Sequence, residues 1–137
     1  MTGLVFFDTN ILVYADDTSA PKKRTRAIAL ITEHQRRGVA VLSLQVLQEY
    51  FVAATRKLGV DPELAQRKVE LLARGKVVRF TERDIIAAIE LHRLSQISFW
   101  DALIFHAARM AGCAVLYSED LQGGTVLGGI TVLNPFL

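Results

Sequence analysis

The chain has 137 residues, 51% of them hydrophobic and 22% charged, and a formal net charge of +2. These values exclude an intrinsically disordered chain, and the length suits one domain with a sizeable core over residues 1–137. No apolar run approaches the roughly 18 residues of a membrane-spanning helix. The N-terminal apolar stretch contains Asp8 and has no basic flank, so we expect neither a membrane anchor nor a signal peptide.

The single cysteine and the mean hydropathy add further expectations. Cys113 lies in an apolar run, so we expect it to be a buried small hydrophobe and not a nucleophile. One cysteine excludes an internal disulfide and indicates a reducing cytoplasm. The mean hydropathy of +0.29 is high for a soluble monomer and indicates a sheet covered on both faces, with an apolar surface suited to a homodimer.

Short apolar runs alternate with amphipathic segments along the chain. The runs are predicted to be strands, at residues 4–7, 39–42, 76–80, 114–117 and 130–133. The segments between them are predicted to be helices, at residues 11–15, 22–37, 44–57, 62–74, 84–94 and 98–110. The runs lack period-two alternation, which is typical of parallel strands buried on both faces. We therefore predict a three-layer α/β/α sandwich with a central, mostly parallel sheet of four to five strands.

Helix starts are marked by capping residues. Ser43 and Asp61 are predicted N-caps, and Pro62 occupies a first helical position. Thr81 and Asp84 have the spacing of a capping box. The helix after Thr81 repeats apolar residues that the sequence places on one face, namely Ile85, Ile86, Ile89 and Leu94.

The first predicted strand ends on a carboxylate. Asp8, Thr9 and Asn10 follow the apolar run directly, and apolar residues resume at Ile11. Open α/β sheets keep their sites at the carboxyl ends of their strands. A carboxylate at the end of a central strand needs a partner, so we expect other polar side chains to converge on Asp8.

Three later acids are candidates for that convergence. Glu49 lies in an otherwise apolar helix one turn after Gln45, Asp101 lies in the first turn of the helix before the fourth strand, and Asp120 follows that strand. Each also has a purely structural interpretation. Asp101 is three residues after Ser98 and suits a capping box, Glu49 suits a polar helix surface, and Asp120 suits a turn. Glu119 points away from Asp120 if this segment is extended.

Several clustered carboxylates would favour a cation. Two negative charges 4 Å apart repel by roughly 4 kcal/mol at an effective dielectric constant near 20. Without a cation such acids take up protons, whereas a divalent ion turns them into ligands. Oxygen ligands without cysteine or suitably placed histidine favour Mg²⁺ or Mn²⁺ over zinc.

Four sequence motifs, taken together and in order, resemble those of the PIN-domain nucleases. They are FFDTNIL (6–12), SLQVLQE (43–49), SFWDALI (98–104) and YSEDL (117–121). The similarity covers essentially the whole chain, and the subgroup it resembles most is the VapC-type ribonuclease toxins of bacterial toxin–antitoxin pairs. Many members have Thr-Asn-Asp where this chain has Ser118, Glu119 and Asp120.

The resemblance implies an Mg²⁺- or Mn²⁺-dependent endoribonuclease that cleaves RNA with an activated water. Catalytic and metal-binding roles would then fall to the family's acidic positions, Asp8, Glu49, Asp101 and Asp120. Supporting roles would fall to Thr9, Asn10, Ser118 and Glu119. It also implies an antitoxin partner whose C-terminal tail enters the acidic groove, with an arginine facing the carboxylates.

The basic residues fit an RNA substrate. Without the four candidate acids, 16 basic residues stand against 10 acidic ones, a surplus of +6 that would attract RNA. They form clustered pairs, each of which taken alone suits a solvated helix face: Lys22–Lys23, Arg36–Arg37, Arg56–Lys57 and Arg67–Lys68.

Other functions remain open from the residues alone. One is a PIN-like nuclease with a housekeeping role in RNA processing, and another is a non-catalytic binding domain whose acids are structural. A haloacid-dehalogenase-like phosphatase is disfavoured because Asn10 stands where that family has a second aspartate. His34, His92 and His106 lie on separate helices without metal-ligand spacing and are predicted to pack or face solvent.

Overall fold

The structure, a computed structural model, describes residues 3–137, so the first two residues of the predicted domain lie outside the described part. The helices of this part are α1 (Thr9–Tyr14), α2 (Pro21–Arg36), α3 (Leu44–Arg56), α4 (Pro62–Leu72), α5 (Glu82–Ser95) and α6 (Phe99–Met110). Its strands are β1 (Val5–Phe7), β2 (Ala40–Ser43), β3 (Lys76–Val78), β4 (Val115–Tyr117), β5 (Val126–Leu127) and β6 (Ile130–Leu133).

The strands form one sheet in the order β3-β2-β1-β4-β6-β5. β1 pairs in parallel with β2 on one side and β4 on the other, and β3 and β6 continue the parallel pairing outwards. Phe6 and Phe7 of β1 are almost wholly enclosed although neighbouring side chains of a strand point to opposite faces. The sheet is therefore covered by helices on both faces. The predicted α/β sandwich with a mostly parallel sheet is confirmed.

The sheet has one strand more than the upper number predicted. β5 pairs antiparallel with β6, with Val126 opposite Thr131 and Leu127 opposite Ile130. The two-residue connection is Gly128-Gly129, and both glycines have positive φ, at 59° and 81°. Such a connection is typical of a tight β-hairpin, because its backbone matches the twist of the paired strands.

Helix α5 buries a different face from the one that its isoleucines suggested. Ala88 is its buried residue, whereas Ile85, Ile86 and Ile89 are exposed and Leu94 is 86% exposed. The predicted capping box is present: the Asp84 carboxylate accepts a 2.8 Å hydrogen bond from the Thr81 backbone. Ala88 on α5 and Ala102 on α6 belong to one small buried cluster, with the partly buried Leu91 packed against it, whereas the three isoleucines and Leu94 lie at the surface.

Two of the histidines are buried and bonded within the fold. His34 Nδ1 lies 2.7 Å from the Leu30 carbonyl oxygen. Arg109 donates to His106 Nδ1 at 2.8 Å, so the His106 Nε2–H faces Asp84 Oδ1 at 3.1 Å. Their packing roles agree with the prediction from sequence.

Cys113 is buried, as predicted, and burial raises the pKa of its thiol to about 12. None of the helices in residues 3–137 is long and apolar enough to cross a membrane.

Candidate active site

The candidate site lies where the strand order reverses. β2 and β3 extend the sheet on one side of β1, whereas β4 and β6 extend it on the other. The segments leaving the carboxyl ends of β1 and β4 therefore run to opposite sides and open a crevice between them. Asp8 leaves β1 and Ser118 leaves β4 at this point, and their backbones are joined by a 3.0 Å hydrogen bond from Asp8 N–H to the Tyr117 carbonyl.

Asp8 is held by neutral donors on both carboxylate oxygens. Its Oδ1 accepts a hydrogen bond from the Thr9 backbone N–H at 2.7 Å, and its Oδ2 accepts one from the Ser118 hydroxyl at 2.7 Å. The residue is only 9% exposed. Burial raises the pKa of Asp8 to about 6, the two hydrogen bonds oppose this rise, and the negative charges of Asp120 and Glu49 add to it. Asp8 thus lies in a negative, poorly solvated environment.

Asn10 connects the helix after β1 to the loop after β4. Its Nδ2 donates to Asp120 Oδ2 at 3.0 Å and approaches Ser118 Oγ at 3.4 Å. Its Oδ1 accepts from the Glu119 backbone N–H at 3.2 Å. Asn10 thereby spans both ends of the Ser118-Glu119-Asp120 segment and fixes the position of Asp120 beside Asp8.

Glu49 reaches the same region from α3, the helix that follows β2. Its Oε1 accepts from the Thr9 hydroxyl at 2.7 Å, and its Oε2 accepts from Gln45 Nε2 at 3.3 Å. Gln45 also lies 3.4 Å from the carbonyl oxygen of Trp100, at the start of α6. A single amide side chain therefore links Glu49 to the helix that carries Asp101.

Asp101 is the least engaged of the four acids. Its backbone N–H donates to Ser98 Oγ at 3.0 Å, so Ser98 caps α6, but the Asp101 carboxylate does not bond back to Ser98 and the suggested capping box is incomplete. In residues 3–137 its half-buried carboxylate forms no hydrogen bond or ion pair. The adjacent Trp100 is 63% exposed.

Glu119 faces away from the other acids. Its carboxylate accepts from the Tyr14 hydroxyl at 2.6 Å and from Lys23 Nζ at 2.5 Å. Its pKa is lowered overall: burial acts to raise it, and the bonds to Lys23 and Tyr14 outweigh that effect. The structure therefore groups Asp8, Glu49 and Asp120 through Thr9, Asn10 and Ser118, leaves Asp101 beside them, and places Glu119 on a separate contact.

The sequence model of the PIN domain family matches residues 5–122, a span that includes all four acids. The chain belongs to the PIN domain family. No curated protein matches it at a significant level.

Solved structures share the fold of this PIN domain. A toxin–antitoxin complex from Klebsiella pneumoniae matches with a TM-score of 0.68 and 19% identity, over 96% of this chain and 97% of that one. VapC20 of Mycobacterium tuberculosis, described as a toxin that cleaves the sarcin–ricin loop, matches with a TM-score of 0.69 and 24% identity, over 85% of this chain and 89% of that one. VapBC2 of Rickettsia felis, bound to a fragment of its promoter DNA, matches with a TM-score of 0.66 and 19% identity, over 94% of this chain and 96% of that one.

The donor chemistry of this PIN domain suits a hard divalent ion. The side chains that meet around Asp8 offer carboxylate and hydroxyl oxygens, and the ion pairs of residues 3–137 involve none of the four candidate acids. In the same residues, no three His, Cys, Asp or Glu side chains are gathered closely enough to hold a metal. Mg²⁺ commonly keeps several waters and takes only one or two carboxylates, so a preformed cage is not required.

Sequence reasoning missed two residues that contact the motifs of this PIN domain. Tyr14 and Lys23 hold Glu119, yet both precede the β4 loop by roughly a hundred residues. Lys23 belongs to a basic cluster that suits a solvated face, and Tyr14 ends an apolar helix. The sequence held one signal, because Glu119 points away from Asp120 if the segment is extended, and a carboxylate outside the acidic group is free to take a basic partner of its own.

Proposed function

We propose that this PIN domain is a divalent-metal-dependent endoribonuclease. The observation that carries the proposal is the state of Asp8: a buried carboxylate at the crevice of the sheet, beside two other acids, bonded by neutral donors only. Such an arrangement is costly unless a cation balances it. The family and the TM-scores of the VapC neighbours support the same function.

The side chains around Asp8 have different roles in the proposed reaction. Bound Mg²⁺ or Mn²⁺ would supply an activated water and offset the charge of the phosphodiester. Asp8 and Asp120 would hold the ion, with Asp8 oriented by Ser118 and Asp120 oriented by Asn10. Glu49, fixed by the Thr9 hydroxyl, or Asp101, whose carboxylate is otherwise unengaged, accepts the proton of the attacking water.

The most direct test maps RNA cleavage in cells. Brief expression of the wild type, followed by sequencing of RNA 5′ ends, should reveal new ends at defined sites, and Asp8→Asn should yield none. Identical new ends from both proteins would contradict the proposal. A Mn²⁺ titration of the purified protein and of single variants at the four acids separates the alternative of a non-catalytic binding domain, which predicts no saturable, acid-dependent binding.

The biological role that follows is the toxin of a type II toxin–antitoxin pair. Two of the solved structures that share this fold are described as a toxin–antitoxin complex and as VapBC2. Induction of the wild type should arrest bacterial growth, and induction of Asp8→Asn should not. A housekeeping RNA-processing role instead predicts that expression is tolerated.

The antitoxin contacts this chain at the acidic groove. An arginine of its C-terminal tail faces Asp8 and Asp120, because their carboxylates have no cationic partner within residues 3–137. A cavity of about 670 Å³ between α2 and α4, lined by Leu42 and Leu72 and by the basic Arg74 and Lys76 among others, offers a second contact for an apolar, acidic segment.

The cavity can be tested on one helix. The antitoxin is first identified by selecting a gene from the source genome that suppresses growth arrest. The protein that this gene encodes should fail to bind Leu71→Glu, since Leu71 lines the cavity and is exposed. Leu64→Glu is the matched control, because Leu64 is also exposed on α4 but does not line the cavity. Equal binding of both variants would contradict this contact.

The chain also forms a homodimer through apolar surface. Large apolar side chains remain exposed on α5, notably Ile86 at 55% and Ile89 at 40%. Light scattering at micromolar concentration should give the mass of two chains, and Ile86→Lys should give one. A monomeric wild type would contradict the dimer without affecting the proposed chemistry.

A further inference from the structure

Three side chains from three separate elements meet on the outer side of the loop that follows β4. Tyr14 ends α1, Lys23 lies in the first turn of α2, and Glu119 is the second residue after β4. The Tyr14 hydroxyl donates to one Glu119 oxygen at 2.6 Å, and Lys23 Nζ donates to the other at 2.5 Å. Both carboxylate oxygens of Glu119 are therefore held, and we name these three residues the Lys23 clamp.

Aromatic rings support the ammonium group of the clamp. Lys23 Nζ lies 4.9 Å from the centre of the Tyr14 ring and 5.7 Å from that of Phe136, distances at which a cation is attracted to a ring face. Tyr14 and Phe136 pack edge to face at 5.0 Å. Lys23 is thus held by two rings and a carboxylate, which restricts a side chain that is normally mobile at a surface.

The clamp is connected to the candidate site by a single amide side chain. The Glu119 backbone N–H donates to Asn10 Oδ1 at 3.2 Å, and Asn10 Nδ2 donates to Asp120 Oδ2 at 3.0 Å. Glu119 and Asp120 are neighbours in sequence, so holding the first side chain outwards fixes the backbone from which the second one projects. A shift of Glu119 would move both Asp120 and the donor that orients it.

The clamp contributes little to stability by itself. The side chains of Lys23 and Glu119 are 42% and 23% exposed. Ion pairs at such exposure are mostly weak, because water screens the charges and the side chains lose freedom. Its main effect is consequently on the position of the loop and not on the free energy of unfolding.

We propose that Lys23 and Tyr14 are positioning residues for the metal site. They hold Glu119 on the outer side of the β4 loop so that Asn10 and Asp120 are presented to Asp8. Glu119 is then a structural anchor of the loop and not a metal ligand. This inference rests on the proposed function, because it assigns the clamp to the same site.

Variants of the clamp can be compared with a matched neighbour. Lys23→Met and Glu119→Gln remove one charge each and keep the length of the side chain, and Tyr14→Phe removes only the hydroxyl. The control is Lys22→Met, because Lys22 is exposed on the same turn and forms no hydrogen bond, ion pair or ring contact in residues 3–137. Both lysine variants lower the net charge equally.

Two measurements on the purified protein report position without relying on cleavage. Mn²⁺ affinity, measured by calorimetry, should fall roughly 10- to 100-fold in Lys23→Met and Glu119→Gln, as it does when residues that orient metal ligands are lost. Exchange of the Glu119 backbone amide with solvent, followed by NMR, should be faster in the same variants. Tyr14→Phe should show a smaller change, and Lys22→Met should match the wild type in both measurements.

Cleavage kinetics and a conservative replacement complete the test. The clamp variants should lower kcat with little change in KM for RNA, and Lys23→Arg should restore most of the Mn²⁺ affinity because arginine can still pair with Glu119. Mn²⁺ affinity of Lys23→Met within twofold of Lys22→Met would overturn the inference, as would tighter Mn²⁺ binding by Glu119→Gln. Should the wild type neither bind Mn²⁺ nor cleave RNA, the proposed function fails, and an unchanged Glu119 amide exchange rate in Lys23→Met would separately refute the clamp.

Discussion

Two groups of carboxylates in this PIN domain differ in the charge of their partners. Glu119 and Asp16 lie 2.5 and 2.8 Å from the ammonium nitrogens of Lys23 and Lys68. The acidic centre, which comprises Asp8, Glu49, Asp101 and Asp120, has no cationic partner among residues 3–137.

The difference extends to proton affinity. Burial acts to raise the pKa of Glu119, but the bonds to Lys23 and Tyr14 lower it overall. Asp8 has a pKa raised to about 6, chiefly by burial. Glu119 and Asp16 thus have lysine partners within the fold, whereas the buried Asp8 has no cationic partner among residues 3–137, and this contrast supports the proposal that an external cation binds at the crevice.

The largest expected effect of breaking this contrast is on catalysis. Purified Asp8→Asn should lose metal-dependent RNA cleavage by roughly a thousandfold or more, because a metal contributes several kcal/mol and each 1.4 kcal/mol is tenfold in rate. Initial rates with Mg²⁺ on a single-stranded RNA measure this loss. Near-wild-type rates from Asp8→Asn, with no contaminating nuclease in a mock purification, would exclude Asp8 from the chemistry.

The second effect concerns stability without metal. The folded protein binds the Asp8 proton more tightly than the unfolded chain does, since the pKa rises from 3.8 to about 6. Ionised Asp8 therefore destabilises the fold, and this penalty grows as pH rises from 4 to 6 and is complete above pH 6. Asp8→Asn lacks it, so its free energy of unfolding should gain about 2 kcal/mol on the wild type between pH 4 and pH 7.

Urea unfolding in EDTA across this pH range gives the comparison directly, because both proteins share every other titrating group. A difference between wild type and Asp8→Asn that stays constant with pH would show that Asp8 is not in the negative environment described.

The third effect is the response of stability to Mn²⁺. At an ion concentration 100 times its dissociation constant, binding stabilises the folded state by about 2.7 kcal/mol. The gain should be clear at pH 7 and smaller at pH 5, where protons compete for Asp8, and absent in Asp8→Asn. Thermal melts with and without Mn²⁺ measure this gain, and the baseline is the same buffer free of divalent ions. Equal stabilisation of both proteins would indicate binding elsewhere.

The smallest effect is a loss of stability without a loss of RNA cleavage. Asp16→Asn removes an acid that has its own cation, Lys68 Nζ at 2.8 Å, and that accepts a hydrogen bond from the Tyr50 hydroxyl. It should lower the free energy of unfolding by about 1 kcal/mol, as expected for a partly exposed pair. RNA cleavage should stay at the wild-type rate, measured in parallel with Asp8→Asn. Loss of cleavage by Asp16→Asn would weaken the contrast between the two groups.

The sequence predicted the layers of the fold because its strand runs are apolar throughout and its helices carry caps. The hairpin of β5 was missed, since a two-residue strand has no periodicity, although Gly128-Gly129 is a hairpin signal in its own right. The buried face of α5 was also missed. The isoleucines predict one apolar face, but α5 buries Ala88 instead, and only the structure shows which face packs against α6.

For the site, motif order was enough to place Asp8, Glu49 and Asp120 near each other, because parallel strands end at one edge. Which oxygen each donor reaches was not predictable, since it depends on side-chain directions within the loops. Tyr14 and Lys23 were missed for a related reason: their contact with Glu119 depends on how α1 and α2 pack beside the β4 loop. Assignment of catalytic roles to the four acids stays a prediction.

The two edges of the sheet limit how other chains can join it. β3 has three residues, with Lys76 Nζ bonded to the Gly38 carbonyl at 3.1 Å, and β5 has two. Short edge strands and lysines at an edge are features that oppose strand addition and aggregation. An incoming strand could form only a few backbone hydrogen bonds at either edge, so recruitment by β-augmentation is disfavoured here. Any second chain is accordingly received by side chains on helices and loops, where substitutions can change partner choice without disturbing the sheet.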